Sequence, residues 1–147
     1  MAADAGGCYV DTSALVKRYV PEPGSDAFDA FCTACAVDML ISPLGSTEFT
    51  GVLQRRVRNR QLTVRQAGAV RRRFLTDVSV GGWRLVEFGS DMFSAANDLM
   101  LELSAPLATL DALHLACALR HGASQLATGD RQLADAAREA RLHVHFF

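Results

Sequence analysis

Five short apolar segments alternate with longer helical segments along the chain, and this order limits the folds that the chain can adopt. The apolar segments lie at residues 7–10, 38–42, 83–88, 124–128 and 142–147. Strands that alternate with helices form a parallel sheet, because each helix returns the chain to the same end of the sheet and covers one of its faces. We therefore predict an α/β domain with helices on both faces of a parallel sheet.

The predicted helices fill most of the residues between these strands. Ser25 and Ser90 stand at the start of two helical patterns and are expected to cap them. The helices are predicted at residues 12–20, 25–36, 44–58, 64–78, 90–103 and 130–140, and a strongly apolar helix ends at Gly122. No repeat, linker or low-complexity stretch divides the pattern, so we predict a single domain over residues 1–147.

The composition limits the partners that the chain can attract by its overall charge. The chain has 147 residues, is 50% hydrophobic and carries a net charge of -1, so it has no overall attraction for nucleic acid or anionic membranes. Any such partner needs a local basic patch. No apolar run approaches the roughly 18 residues of a membrane span, and "MAADAGG" lacks the basic and apolar regions of a signal peptide. We predict a soluble cytoplasmic protein.

The four cysteines are Cys8, Cys32, Cys35 and Cys117. The single Cys-x-x-Cys pair has neither a second pair nor suitably spaced histidines, as a zinc site would require. We expect reduced, buried thiols that act as small apolar side chains.

Four acidic residues stand at strand ends and helix starts. Asp11 follows the first strand and Asp130 follows the fourth, whereas Glu48 and Asp111 lie in the first turns of two helices. Residues just beyond the carboxyl ends of parallel strands meet at one edge of the sheet. Carboxylates that meet there raise one another's pKa unless a cation compensates them, and oxygen ligands of this kind suit Mg²⁺ or Mn²⁺. The pattern predicts a metal site.

Three of the four acidic residues also have a simpler interpretation. Asp11 and Asp130 can cap the helices that follow them, and the helix dipole favours an acid in the first turns, where Glu48 lies. His114, one turn after Asp111, is better interpreted as a hydrogen-bonded core histidine than as a metal ligand. The four acids together favour a shared site.

The acidic segments, taken in order, resemble the motifs of the PIN domain. They are "YVDTSALVKRY", "ISPLGSTEFTGVL" with Glu48, "LDALHLACAL" and "LATGDRQLADAA". Over essentially the whole chain the sequence is similar to VapC-type PIN domains, which are ribonuclease toxins of bacterial toxin–antitoxin pairs. The resemblance implies a three-layer α/β/α PIN-like domain with a four- to five-stranded parallel sheet.

The resemblance also implies an activity, a cofactor and partners. The expected activity is that of a type II toxin, a metal-dependent endoribonuclease that uses Mg²⁺ or Mn²⁺. By position, Asp11 and Asp111 are the firmest metal ligands, and Glu48 and Asp130 complete the catalytic site. The neighbouring hydroxyl residues expected to orient these carboxylates are Thr12, Ser13 and Thr128. The expected partners are an RNA substrate and a cognate antitoxin protein, and a homodimer is left open.

A basic segment offers a place for RNA. No acid occurs at residues 49–76, and this segment holds 8 of the chain's 15 Lys and Arg residues. Such a patch engages phosphates without reading sequence. The arginines nearest Glu48, which we predict to bind RNA, are Arg55, Arg56, Arg58 and Arg60. A solvated helix face or a partner-binding surface is an equal alternative for the segment.

The main alternative function is a non-catalytic PIN-like module that binds RNA or protein. Such a module would commonly have lost some of the acids, whereas all four are present here. A phosphatase of the haloacid dehalogenase type needs a second Asp where Ser13 stands. A receiver domain needs a late lysine, and Lys17 is the only lysine in the chain.

Overall fold

The structure is a computed structural model that describes residues 6–147. Its strands form one parallel sheet in the order β3-β2-β1-β4-β5. The strands are β1 (Cys8–Val10), β2 (Met39–Ile41), β3 (Arg84–Leu85), β4 (Gln125–Thr128) and β5 (His143–Phe146). The helices are α1 (Thr12–Lys17), α2 (Ser25–Ala34), α3 (Pro43–Arg58), α4 (Val64–Ser79), α5 (Asp91–Glu102), α6 (Thr109–Arg120) and α7 (Arg131–Glu139). The predicted α/β class with a parallel sheet is confirmed.

Two apolar clusters lie on opposite faces of the sheet. Tyr9 of β1 packs in the cluster that contains the buried faces of α5, α6 and α7. Its neighbours Cys8 and Val10 pack in the other cluster, with α1, α2, α3 and α4. Successive side chains of a strand point to opposite faces, so β1 contributes to both layers. This arrangement is the expected three-layer α/β/α architecture.

Strand order creates a crevice at the centre of the sheet. The chain runs outward from β1 to β2 and β3, then returns to form β4 on the other side of β1. Tyr9 is in register with Leu40 of β2 and with Leu126 of β4. In open α/β sheets, ligands bind beyond the carboxyl ends of the strands where the order reverses. Here that position lies between β1 and β4.

Some local predictions were wrong. The strand expected at 83–88 contains only Arg84–Leu85, because its partner β2 ends at Ile41 and Ser42 then caps α3. Gly24, with φ of 91°, is the N-cap of α2, and Ser25 Oγ instead accepts a hydrogen bond from the Glu22 backbone N–H. Ser90 stands at the N-cap of α5 without a capping side-chain bond.

The cysteine prediction is confirmed for two residues and only partly for the others. Cys8 and Cys117 are buried, whereas Cys32 and Cys35 are half-buried, and all four thiols are free. Burial raises the pKa of Cys8 to about 12 and that of Cys117 to about 11, which keeps both thiols protonated.

Within residues 6–147, no helix has both the length and the apolar character needed to span a bilayer. Most of the "MAADAGG" segment, on which the prediction about a signal peptide rests, lies outside the described residues.

Candidate active site

All four acidic residues identified in the sequence line one cavity of about 700 Å³. Asp11 follows β1 and Asp130 follows β4, so they lie at the crevice where strand order reverses. Asp111 stands in the first turn of α6, and Glu48 lies near the start of α3. The structure therefore brings together carboxylates that are as far as 119 positions apart in the sequence.

The two strand-end aspartates are also helix caps. Asp11 Oδ1 accepts hydrogen bonds from the Ala14 backbone N–H at 3.1 Å and from Ser13 Oγ at 2.7 Å. Asp130 Oδ1 accepts one from the Leu133 backbone N–H at 2.9 Å. The capping interpretation of these residues is therefore correct, and it is compatible with a shared site, because a carboxylate has two oxygens and the cap bond engages one of them.

Hydroxyl groups tie the ends of β1 and β4 together. Ser13 Oγ accepts a hydrogen bond from the Gly129 backbone N–H at 2.8 Å and lies 3.2 Å from Thr128 Oγ1. Thr128 Oγ1 accepts one from the Asp130 backbone N–H at 2.9 Å. These bonds hold the Asp11 and Asp130 loops in a fixed relation, in agreement with the expected orienting role of Ser13 and Thr128.

Glu48 is held by a buried chain of polar side chains. Thr12 Oγ1 donates to Glu48 Oε1 at 2.8 Å, and His114 Nε2 makes a short contact with the same oxygen. The Tyr9 hydroxyl lies 2.8 Å from His114 Nδ1 and 2.8 Å from Ser42 Oγ. Because a carboxylate only accepts hydrogen bonds, the imidazole proton belongs on Nε2. The prediction of a hydrogen-bonded core histidine is confirmed, and His114 also orients Glu48.

The acids differ in how their surroundings affect protonation. The pKa of Asp111 is raised to about 6, first because burial disfavours the charged form and then because the other acids repel it. Burial also raises the pKa of Asp11, although His114 and the hydrogen bond from Ser13 oppose the rise. Burial raises the pKa of Glu48 as well, but His114 and Thr12 outweigh it and leave that pKa below its usual value.

The donor set fits a hard divalent cation in its chemistry. Carboxylate oxygens are the ligands that Mg²⁺ and Mn²⁺ prefer, and a cation would relieve the repulsion that raises the pKa of Asp111. The carboxylates do not form a complete coordination shell. Among residues 6–147, no three His, Cys, Asp or Glu side chains are grouped closely enough to hold an ion as they stand. The set fits a metal by donor type and charge.

Three of the four arginines predicted to bind RNA line the same cavity: Arg55, Arg56 and Arg58. Arg60 does not line it, because it follows the end of α3 in a left-handed conformation with φ of 58°. Arg56 forms an ion pair with Glu22, whereas Arg55 and Arg58 are exposed.

The sequence matches the PIN domain family over residues 8–139, a span that contains all four acids. The chain belongs to the PIN domain family. The match confirms the resemblance that the acidic segments indicated. No curated protein sequence is recognisably related to this PIN domain.

Solved structures share this PIN domain's fold. VapC20 of Mycobacterium tuberculosis, a sarcin-ricin loop cleaving toxin, is 16% identical with a TM-score of 0.69, over 88% of this chain and 95% of that chain. VapBC2 of Rickettsia felis, bound to a DNA fragment from their promoter, is 14% identical with a TM-score of 0.64, over 95% and 97%. FitAcB of Neisseria gonorrhoeae is 16% identical with a TM-score of 0.66, over 95% and 96%. At these identities the likeness shows the fold.

Two charged residues of the cavity were not identified from the sequence. Lys17 and Glu22 line the PIN domain cavity beside the acids. Lys17 lies six positions after Asp11, at the end of the short helix that Asp11 caps. This spacing could have identified Lys17 as a residue near the site. Glu22 belongs to the loop "PEPGS", and nothing in its local pattern indicates that it reaches Arg56 of α3.

Proposed function

We propose that this PIN domain protein is a metal-dependent endoribonuclease that acts in the cytoplasm as the toxin of a type II toxin–antitoxin pair. One observation carries the proposal. Four carboxylates from separate elements line one cavity, close enough for their charges to help raise the pKa of Asp111 to about 6. A fold rarely retains such repulsion without a cation to balance it.

Asp11, Glu48, Asp111 and Asp130 would hold Mg²⁺ or Mn²⁺. When bound, such an ion supplies positive charge for the phosphate and activates water for phosphodiester hydrolysis. The chain's own residues prepare the site: Thr12 and His114 orient Glu48, and Ser13 orients Asp11. Arg55 and Arg58, which line the same cavity, would bind backbone phosphates.

The partners follow from the family resemblance. The similarity in fold to the VapC20 toxin and to VapBC2 supports the toxin assignment. A free ribonuclease would harm the cell that makes it, so we expect a cognate antitoxin that covers or distorts the acidic cavity.

The decisive experiment measures cleavage of single-stranded RNA by the purified chain. We expect cleavage with Mg²⁺ or Mn²⁺ and none in chelator. Because loss of even an outer-shell partner commonly costs a metal site about 10–100-fold, Asp11→Asn and Asp111→Asn should each reduce the rate by more than about 100-fold.

Asp135→Asn is the matched control, because Asp135 is an exposed acid of α7 that pairs with Arg138 outside the cavity. It should cleave RNA like the parent. Full cleavage by a folded Asp111→Asn variant would refute the proposal. RNA that the parent binds in Mg²⁺ and leaves intact would support a non-catalytic PIN-like binding module instead.

A further inference from the structure

The acidic cavity has a basic side formed by Lys17 and Arg56. Lys17 Nζ donates to Glu22 Oε1 at 3.1 Å and to the Pro23 carbonyl at 2.7 Å. Arg56 Nη2 forms an ion pair with the other oxygen of Glu22. The side chains of Lys17, Glu22 and Arg56 are only 11%, 21% and 22% exposed. The three residues, called here the Glu22 cluster, join the end of α1, the following loop and α3.

The Glu22 cluster carries one positive charge in excess. Lys17 and Arg56 share a single carboxylate, and no other acid among residues 6–147 forms an ion pair with either of them. One cation would be enough to tether the loop to α3. Keeping a second, largely desolvated cation in the cavity is costly unless an anion compensates it. The ammonium group of Lys17 has three N–H donors, and its bonds to Glu22 and Pro23 use two of them, so one donor remains for an anionic ligand.

Gly129 lets the side chain of Lys17 pack against the loop that precedes Asp130. A Cβ atom at Gly129 would lie 3.0 Å from Lys17 Cε and 3.5 Å from Ser13 Oγ. Because glycine has no side chain, the stem of Lys17 can lie over the loop that leads to Asp130. Lys17 forms an ion pair with Glu22 and with none of the four carboxylates, so its ammonium group is suited to a phosphate that enters the same cavity.

Arg56 and Glu48 lie more than two turns apart on α3. The eight positions between them correspond to a rise of about 12 Å along the helix axis, at about 1.5 Å per residue. The Glu22 cluster and Glu48 would therefore meet an RNA strand at different points along α3.

We propose that Lys17 and Arg56, held in place by Glu22, form a subsite for a backbone phosphate of the RNA strand other than the one that is cleaved. The proposal rests on the proposed ribonuclease function. It defines the path of the substrate, which runs from the carboxylates past the end of α1 to the second half of α3. Guanidinium and ammonium groups are the usual partners of backbone phosphates.

Binding of a fluorescein-labelled 12-nucleotide single-stranded RNA tests the subsite. The measurement is fluorescence anisotropy at several salt concentrations, in chelator and in the Asp111→Asn background, so that the probe is not consumed. Lys17→Gln should weaken binding and reduce the slope of log K against log salt by about 0.7, the value of one phosphate contact to a single strand. Lys17→Arg should keep the slope, because it keeps the charge.

Arg18→Gln is the matched control. Arg18 is the next residue, is paired with Asp29 at 2.9 Å and lies outside the acidic cavity, so its replacement should leave the slope unchanged. Glu22→Gln is the second test, because it removes the only anion of the Glu22 cluster with almost no change in volume. The Glu22→Gln variant should bind the probe several-fold more tightly than the parent, because the net charge of the Glu22 cluster rises by one.

Cleavage kinetics separate this subsite from the proposed function. In the otherwise unchanged chain, Lys17→Gln should raise KM and leave kcat close to that of the parent, because the lost contact stabilises substrate and transition state equally. A salt slope and KM equal to those of the parent would overturn the subsite while the ribonuclease stands. If Lys17→Gln does not fold, Glu22→Gln is the deciding variant. Binding of the RNA probe by Glu22→Gln that is no tighter than binding by the parent would overturn the subsite. Absence of cleavage by the parent would instead refute the proposed function.

Discussion

Single residues of this site serve the fold and the cavity at the same time. Asp11 caps α1, Asp130 caps α7, and both line the acidic cavity. His114 is buried in the core and also holds Glu48. Asp111 differs because it makes no cap bond, and because burial and its acidic neighbours disfavour the charged form of its carboxyl group. The protonation of Asp111 is therefore the most direct measure of the electrostatic repulsion in the site.

We predict that Asp111 makes the metal-free chain less stable as the pH rises from 4 to 7. Its pKa is raised from 3.8 to about 6 in the folded chain, so the stabilising contribution of the proton is complete below pH 4 and lost as the pH passes 6. Relative to Asp111→Asn, the parent should lose about 1–2 kcal/mol over this range, less than the full shift because the group is partly exposed.

The measurement is urea unfolding of both proteins in chelator at several pH values. Asp135→Asn, which removes an exposed acid, should follow the parent. A parent-to-variant difference that stays constant with pH would contradict the raised pKa.

At the scale of elements, α3 connects the acidic and basic parts of the cavity. Its start carries Glu48, and its last turn carries Arg55, Arg56 and Arg58. The next helix, α4, is also rich in arginine, but its exposed Arg71 and Arg72 do not line the cavity. The structure thus divides the basic segment of the sequence into a part that faces the site and a part that does not.

We predict that, within the basic segment at residues 49–76, only the arginines on α3 contribute to RNA binding. Replacing both Arg55 and Arg58 with Gln should lower the salt slope by about 1.4, or about 0.7 for each lost phosphate contact. Replacing both Arg71 and Arg72 with Gln removes the same charge from α4 and should leave the slope unchanged. The assay is the anisotropy titration with single-stranded RNA. Equal reductions of the salt slope by the two double replacements would favour non-specific attraction of RNA by the whole basic segment.

At the scale of the molecule, the order of the strands creates the site. Because β4 forms beside β1 after the chain has built β2 and β3, the loops that follow β1 and β4 adjoin. Helices α3 and α6, which lie on opposite faces of the sheet, then contribute Glu48 and Asp111 to the same crevice. A cation at this point would connect both helical layers through the sheet edge.

We predict that Mg²⁺ stabilises the whole domain through these acids. At about a hundred times its dissociation constant, the ion should raise the free energy of unfolding of the parent by roughly 2.7 kcal/mol. Asp11→Asn and Asp111→Asn should gain much less, because each lacks a carboxylate that holds the ion, and Asp135→Asn should gain as much as the parent. Thermal melts with and without the ion measure the effect. Equal gains in all four proteins would show that Asp11 and Asp111 do not share a metal.

Local features of the fold and site could be predicted from the sequence. The period of apolar residues predicts the alternating strands and helices, and hence a parallel sheet. The positions of Asp11 and Asp130 at strand ends follow from the same pattern. The cap of α2 and the length of β3 could not be predicted, because a left-handed glycine and the early end of the partner strand β2 outweigh local preference.

The sequence by itself thus determined the α/β class, the family motifs and four candidate carboxylates, since these depend on neighbours a few positions apart. Only the tertiary structure decided that His114 contacts Glu48 and that Glu22 joins Lys17 to Arg56. The physical reason is that His114 and Glu48, like Glu22 and Arg56, lie on elements far apart in the chain. Their meeting depends on strand order and on how the helices pack across the sheet, which the local spacing of residues does not specify.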